Sequence, residues 1–342
     1  MKNYIPNTWK NKKTHYMKVI DEPWYKLLVK LENLLTVETV KFYEKIGIST
    51  MHLPVTTESI SSPMGRGSDS LPVKVNLNGV ETYLADSMQF FLEYGCRLTN
   101  KGVYYIMPSF RGEKADKRHL CQFYHSEAEI IGSLNDVMNL IEKYIKYLSK
   151  QIIKQLGSEI KDMIGDISHI EKIATYKGHF PKITFDEMEK KLKDKYPNEI
   201  EKYIEYNDGW RNMTHEGEKK IMSMYNGIVW VTNYDILTVP FYQKYDDVIK
   251  GTAKNADLLM GIGETVGCGE RHNDYKGLLD SLEFHEVDIK EYKWYINMKK
   301  CKPLNTSGFG MGTERFLMWV LKCDDIRNMQ ICLRFNGEDV NP

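Results

Sequence analysis

The chain has 342 residues, 42% hydrophobic and 27% charged, which excludes intrinsic disorder and allows one large core or two smaller ones. Forty-seven basic residues balance 47 acidic ones, so no overall positive field invites a polyphosphate backbone and any nucleic-acid role needs a local patch. Six scattered cysteines without a Cys-x-x-Cys pair argue against structural zinc or a disulfide framework. With no apolar leader and no run of the roughly 18 apolar residues that a span needs, the chain reads as cytoplasmic and without membrane contact.

In chain order, Asp21-Glu22-Pro23 followed by Leu27, Leu28, Leu31, Leu34 and Leu35 predicts a helix with acids and proline in its first turn. A β-rich run follows from Val103 to Met107. A second helix is predicted from Ser133, where Leu134, Val137, Met138, Ile141, Tyr144, Ile145 and Leu148 recur at helical spacing and form a stripe that packs on a sheet. Residues 152–221 are rich in Lys, Glu and Asp with weaker periodicity and read as a helical insertion on the surface. Further β-rich runs lie at Ile228 to Thr232 and at Leu258 to Met260, the latter meeting a Gly261-Ile262-Gly263 turn. No repeat or linker marks a boundary, so residues 1–342 read as one catalytic-size α+β domain, with helices segregated from a mainly antiparallel sheet.

Two segments carry the chemistry. Ser109-Phe110-Arg111-Gly112-Glu113, returning through Arg118 and His119 to Phe123, suits a nucleoside triphosphate lying along a hairpin. Arg111 and Arg118 can each take a phosphate in a forked hydrogen bond, and Phe123 can offer a ring face to a base. Alone, such a strand is more often a surface ion pair worth little. The second segment is Ser307-Gly308-Phe309-Gly310-Met311-Gly312-Thr313-Glu314-Arg315. Its alternate glycines permit close backbone approach, and its arginine stands at a helix start.

Together these segments resemble the class II aminoacyl-tRNA synthetases: Pro54 after a long helix is similar to their first motif, Phe110-Arg111-x-Glu113 to their second, and Gly308-x-Gly310-x-Gly312-x-Glu314-Arg315 to their third. Arg118-His119-Leu120-x-x-Phe123, Phe180 to Phe185, Pro240-Phe241-Tyr242 and Trp294-Tyr295 narrow the resemblance to the aspartyl/asparaginyl subgroup. It implies a class II antiparallel sheet flanked by helices, ATP and Mg2+ as cofactors, and a homodimer paired through the first motif. Arg111, Glu113, Arg118, His119, Phe123 and Arg315 would then bind ATP, and Asp257 with Glu264, seven residues on, would hold magnesium. The resemblance also implies that Arg271, seven residues further, holds the carboxylate being activated, and that Glu127 takes the substrate's amino group.

Two departures shape the functional expectation. The first predicted helix starts too early for the anticodon-binding barrel that the subgroup places ahead of its catalytic domain, so tRNA is not expected as a partner. Ser87, Gln89 and Leu92 align with the amino-acid pocket, and at Leu92 aspartyl enzymes have a lysine. With Phe90 and Phe91 beside it, the pocket points to aspartate neutralised by another cation, or to an apolar or aromatic acid such as an aminobenzoate. Ile60 to Ser70 resembles the corresponding segment of stand-alone amide-forming paralogues, and its Gly, Ser and Pro content suits a mobile cover or an ordinary loop equally. The expectation is an ATP-dependent amide ligase that joins a small carboxylic acid to ammonia through an acyl-adenylate. The alternatives are a transferase passing the activated acid to tRNA or protein, and a non-catalytic regulator.

Overall fold

The computed structural model describes residues 4–61, 66, 68 and 70–340. A short helix, α1 (His15–Asp21), leads into α2 (Pro23–Ile46), which starts on proline and stops at Gly47, whose φ of 68° ends the helix in the left-handed region. Trp24, Leu27, Leu28, Leu31, Leu34, Leu35, Phe42 and Tyr43 form the buried stripe of α2. Strands β1 (Ser49–Thr50), β2 (Thr56–Thr57), β3 (Val73–Leu77) and β4 (Val80–Leu84) precede α3 (Gln89–Thr99), and β5 (Val103–Phe110) pairs with β6 (Gln122–Ile131). Helix α4 (Leu134–Ile164) is capped by Ser133 and Asp136 in a reciprocal box that satisfies its first free amides. It packs on the main sheet, as the apolar stripe predicts, and also along α2.

Residues 152–221 differ from the expected surface insertion of helices. Ile152, Leu156, Ile160 and Ile164 continue α4 into the main core, with α5 (Ser168–Ala174) beside them. Next, β7 (Lys182–Thr184) adds a strand to the main sheet, followed by α6 (Phe185–Lys195), α7 (Ile200–Tyr203), the hairpin β8 (Ile204–Asn207) and β9 (Trp210–Met213), and α8 (His215–Met224). Phe185, Met188, Leu192, Tyr203 and Ile221 gather in a core of their own. Abundant lysine on the outer faces hid these apolar positions from the sequence reading.

The chain ends with β10 (Ile228–Thr232), β11 (Asn255–Met260), β12 (Gly263–Glu270), α9 (Tyr275–Phe284), α10 (Lys293–Cys301), β13 (Thr306–Gly312) and α11 (Thr313–Val320). The eight-stranded sheet runs β1-β5-β6-β13-β12-β11-β10-β7, antiparallel except at its two edges. Because side chains alternate across a strand, Ala128, Phe309, Met311, Val266 and Leu258 face the α2 and α4 layer. Glu127, Glu129, Gly308, Gly310 and Asp257 face the other way, and Glu127, Gly310 and Asp257 line a cavity there. Among the described residues no helix is long and apolar enough to cross a membrane.

Candidate active site

The cavity, of 590 Å3, lies along β6. Phe123, His125, Glu127 and Glu129 share one face of that strand, and at about 3.4 Å per residue the first and last stand roughly 20 Å apart. Gly312, Gly310 and Gly308 of β13 pair with His125, Glu127 and Glu129. A Cβ at Gly310 would lie 2.8 Å from Glu127 Oε1, and one at Gly308 would collide with Glu129 Oε2. The alternate glycines therefore clear space for two buried carboxylates of the neighbouring strand.

At the deep end Arg271 is 1% exposed. Its Nε and Nη2 donate to Glu129 at 3.2 and 3.1 Å, Nη1 to Gln243 Oε1 at 3.1 Å and Nη2 to Gln89 Oε1 at 3.2 Å. Burial works against the guanidinium charge, and Glu129 outweighs it. Behind this pair Glu93 of α3 accepts from Lys299 Nζ of α10 at 2.6 Å, both fully buried. Midway along β6, Glu127 accepts from Ser87 Oγ at 2.7 Å and from the Tyr105 hydroxyl. Burial pushes its carboxyl up to about 7, with the two hydroxyls opposing.

At the near end, the Arg111 guanidinium lies 5.4 Å over the Phe123 ring. Arg111 Nε, Arg118 Nε and Glu113 Oε1 are buried without partners, and His119 sits 3.1 Å from Asp116. Arg315, in the first turn of α11, donates to the Glu264 carbonyl at 2.7 Å. Arg111, Arg118, Arg271 and Arg315 all line the one cavity. Two arginines with unused donors beside a third suit a ligand carrying several phosphate oxygens.

Asp257 and Glu264 converge over Gly267, where a Cβ would lie 2.9 Å from Glu264 Oε1 and 3.5 Å from Asp257 Oδ1. Burial, and then the charge of Glu264, push the Asp257 carboxyl well up. Two hard oxygen donors that destabilise each other fit a magnesium ion, which would relieve both. Among the described residues no three His, Cys, Asp or Glu side chains are preassembled as a metal cluster.

Of the residues singled out in the sequence, Leu92 is not brought to the cavity: it packs beneath α3 with Ala85, Met88, Cys96 and Val103. Phe90 packs on Tyr242 and Tyr295, and Phe91 stacks on Trp294. The basis for an apolar or aromatic acid falls with them. Of the expected cover, Ser62 to Gly65, Gly67 and Asp69 lie outside the described residues. Unforeseen lining residues are Asp86, Glu218, Tyr234, Tyr242 and Gln243. Tyr242 belongs to a matched motif and was open to discovery, whereas Glu218 reads in sequence as one more helix-surface acid.

Residues 9–332 match the family described as tRNA synthetases class II (D, K and N). The chain belongs to this family. Asparagine–tRNA ligase of Thermoplasma acidophilum is 32% identical over 277 residues, 80% of this chain and 62% of the relative. That of Pyrococcus furiosus is 31% identical over 249 residues, 72% of this chain and 55% of the relative. The chain thus spans about three fifths of these relatives' length. The crystal structure of Pyrococcus horikoshii asparaginyl-tRNA synthetase complexed with asparaginyl-adenylate superposes with a TM-score of 0.82 at 26% identity, covering 91% of this chain and 69% of that one. ATP and Mg2+ are the cofactors of class II synthetases, and the residues of this one fit both. The relatives are named for ligation to tRNA, so the expectation against tRNA finds no support in the comparisons.

Proposed function

We propose that the chain activates asparagine with ATP and passes the aminoacyl group to tRNA. The observation that carries this reading is the order of groups along β6: phosphate-seeking arginines at Phe123, a carboxylate for an ammonium at Glu127, and the Arg271–Glu129 pair at the deep end. An amino acid laid along that strand puts its α-ammonium on Glu127, its side chain on Arg271 and Glu129, and its carboxylate toward Arg111. Arg271 then serves the side chain and not the reacting carboxylate, a revision of the role expected from sequence. Because Glu129 already balances Arg271, an aspartate side chain would bring an unpaired buried anion at a cost of several kcal/mol. An asparagine side chain brings none, its carbonyl accepting from Arg271 and its amide donating to Glu129.

In the first step a carboxylate oxygen bonds to the α-phosphorus while the bond to the bridging oxygen breaks, and pyrophosphate leaves with that electron pair. Arg111 draws the carboxylate and α-phosphate together, Arg118 and Arg315 hold the outer phosphates, and Phe123 flanks the base. Magnesium, held by Asp257 and Glu264, supplies charge neutralisation on the phosphate oxygens when bound. In the second step a tRNA hydroxyl oxygen bonds to the acyl carbon while the bond from that carbon to the phosphate oxygen breaks, AMP leaving with the electron pair and the hydroxyl proton passing to the departing phosphate oxygen. Six free cysteines, Cys301 and Cys332 exposed, suit a reducing cytoplasm. Two copies would pair through α2, whose outer face carries exposed Val29, Val37 and Val40.

The test is ATP–pyrophosphate exchange with asparagine, aspartate and an aminobenzoate, followed by AMP release with tRNA or with ammonium. Exchange with asparagine and release by tRNA support the reading. Release by ammonium alone moves the second step to amide formation, and no exchange with any acid rejects activation altogether.

A further inference from the structure

The sequence Thr214-His215-Glu216-Gly217-Glu218 opens α8, with the Thr214 hydroxyl capping the Gly217 amide at 3.1 Å. A Cβ at Gly217 would strike the Tyr203 carbonyl, so the helix start lies hard against the end of α7 and the next residue, Glu218, is driven inward. Its Oε2 accepts from Arg118 Nη2 at 2.6 Å and lies 3.2 Å from His215 Nδ1, while its Oε1 accepts from the Glu264 amide at 3.2 Å. Burial raises this carboxyl, but His215, Arg118 and Arg315 outweigh it and hold it ionised. One carboxylate thus touches both halves of the triphosphate site: the arginine on the hairpin side and the turn that carries the acidic pair.

The turn is built around this contact. Gly263 sits where a Cβ would meet the Glu218 carboxylate and lie 3.1 Å from Arg118 Nη2, so the chain yields that space to the ion pair. Arg315 is likewise engaged by Glu264. Arg118 and Arg315, though not Arg111, are therefore both held by acids of the metal side. The carboxylates of Asp257, Glu264 and Glu218 all line the same cavity, and their charges bear together on the Tyr234 hydroxyl, on a side chain only 6% exposed.

We propose that Glu218 is the counter-ion that Arg118 exchanges for the triphosphate, and that the carboxylate so released turns to the cation held by Asp257 and Glu264. This rests on the ATP reading above. Glu218 is then a positioning residue that ties ATP binding to magnesium: without the metal it competes with phosphate for Arg118, and with the metal it is a third oxygen donor.

The exchange predicts effects of opposite sign in E218Q, measured by equilibrium dialysis of labelled ATP with the whole chain. In EDTA the variant is expected to bind ATP about threefold more tightly than wild type, because the competing charge is gone. With magnesium titrated in, the concentration giving half-maximal ATP retention is expected to rise about tenfold. E218D, which keeps the charge and loses reach to Arg118, is expected to share the tighter binding in EDTA while its magnesium half-point stays near wild type. Loss of folding lowers ATP affinity under both conditions and cannot imitate this split. Unchanged or weaker ATP binding in EDTA by a folded E218Q or E218D overturns the proposal, as does an unmoved magnesium half-point in E218Q. Wild type that binds no ATP with magnesium present overturns the ATP reading itself, a distinct result.

Discussion

At the scale of single residues, Glu127 is the group whose protonation is poised to control substrate binding. Its carboxyl, pushed up to about 7 by burial, must be ionised to take an ammonium. The apparent KM for asparagine is therefore expected to fall as pH rises through about 7, and in E127Q to be high and flat. Linkage gives the stability a sign of its own. A carboxyl that holds its proton more tightly folded than unfolded stabilises the fold below the unfolded pKa and loses that contribution as pH rises through the folded one. Thermal scans across the interval from 4.5 to about 7 are expected to show a steeper loss of Tm in wild type than in E127Q. A second residue-scale prediction concerns Gly308. G308A forces a methyl into Glu129 and is expected to cost about 1–3 kcal/mol by overpacking and to raise the KM for asparagine, with the KM for ATP unmoved. The glycines were visible in sequence as a motif. That they make room for acids of β6 was not, because strand pairing across 180 residues carries no local signal.

At the scale of elements, the buried Lys299–Glu93 pair joins α10 to α3 behind the amino-acid pocket, and Lys299 also donates to the His272 carbonyl at 2.6 Å. Replacing Lys299 with methionine removes the nearer of two buried cations on Glu93 and leaves it Arg97 at 3.8 Å. K299M is expected to lower stability by about 3–5 kcal/mol in denaturant titrations. The sequence disclosed the starts of α2, α4 and β5 and the whole of β10, because each start is clear, proline for α2 and a capping box for α4, while α4 runs on to Ile164 and β5 to Phe110. It misjudged residues 152–221, where the apolar positions of α6 and α8 are few and each is flanked by lysine and glutamate. Leu92 misled for a different reason. It lies three residues after Gln89 on α3, and only the seating of that helix on β5 decides that Gln89 reaches the cavity while Leu92 turns into the core.

At the scale of the whole molecule, the two segments that defined the site in sequence, Arg111 to Phe123 and Gly308 to Arg315, meet because β6 and β13 are adjacent at the centre of the sheet. The same layer links the site to the outer surface. Glu314 beside Arg315 accepts from the Tyr124 amide at 3.0 Å, and its carboxyl is pushed up to about 7 by burial, with the charge of Glu32 on α2 adding to the shift. On α2, Val29, Val37 and Val40 form a stripe opposite the buried leucines and are 52%, 40% and 47% exposed. If two copies pair through this stripe, the interface fixes the helix whose Glu32 charge acts on Glu314, the neighbour of Arg315. A V37E/V40E double variant is therefore expected to sediment as a monomer where wild type sediments as a dimer. Because small misplacements of a reacting group are costly, its pyrophosphate exchange is expected to fall about tenfold or more, with the helical circular dichroism retained. A wild type that sediments as a monomer at working concentrations would reject α2 as the interface. A monomeric variant with full exchange would keep the interface and deny it a part in holding Arg315.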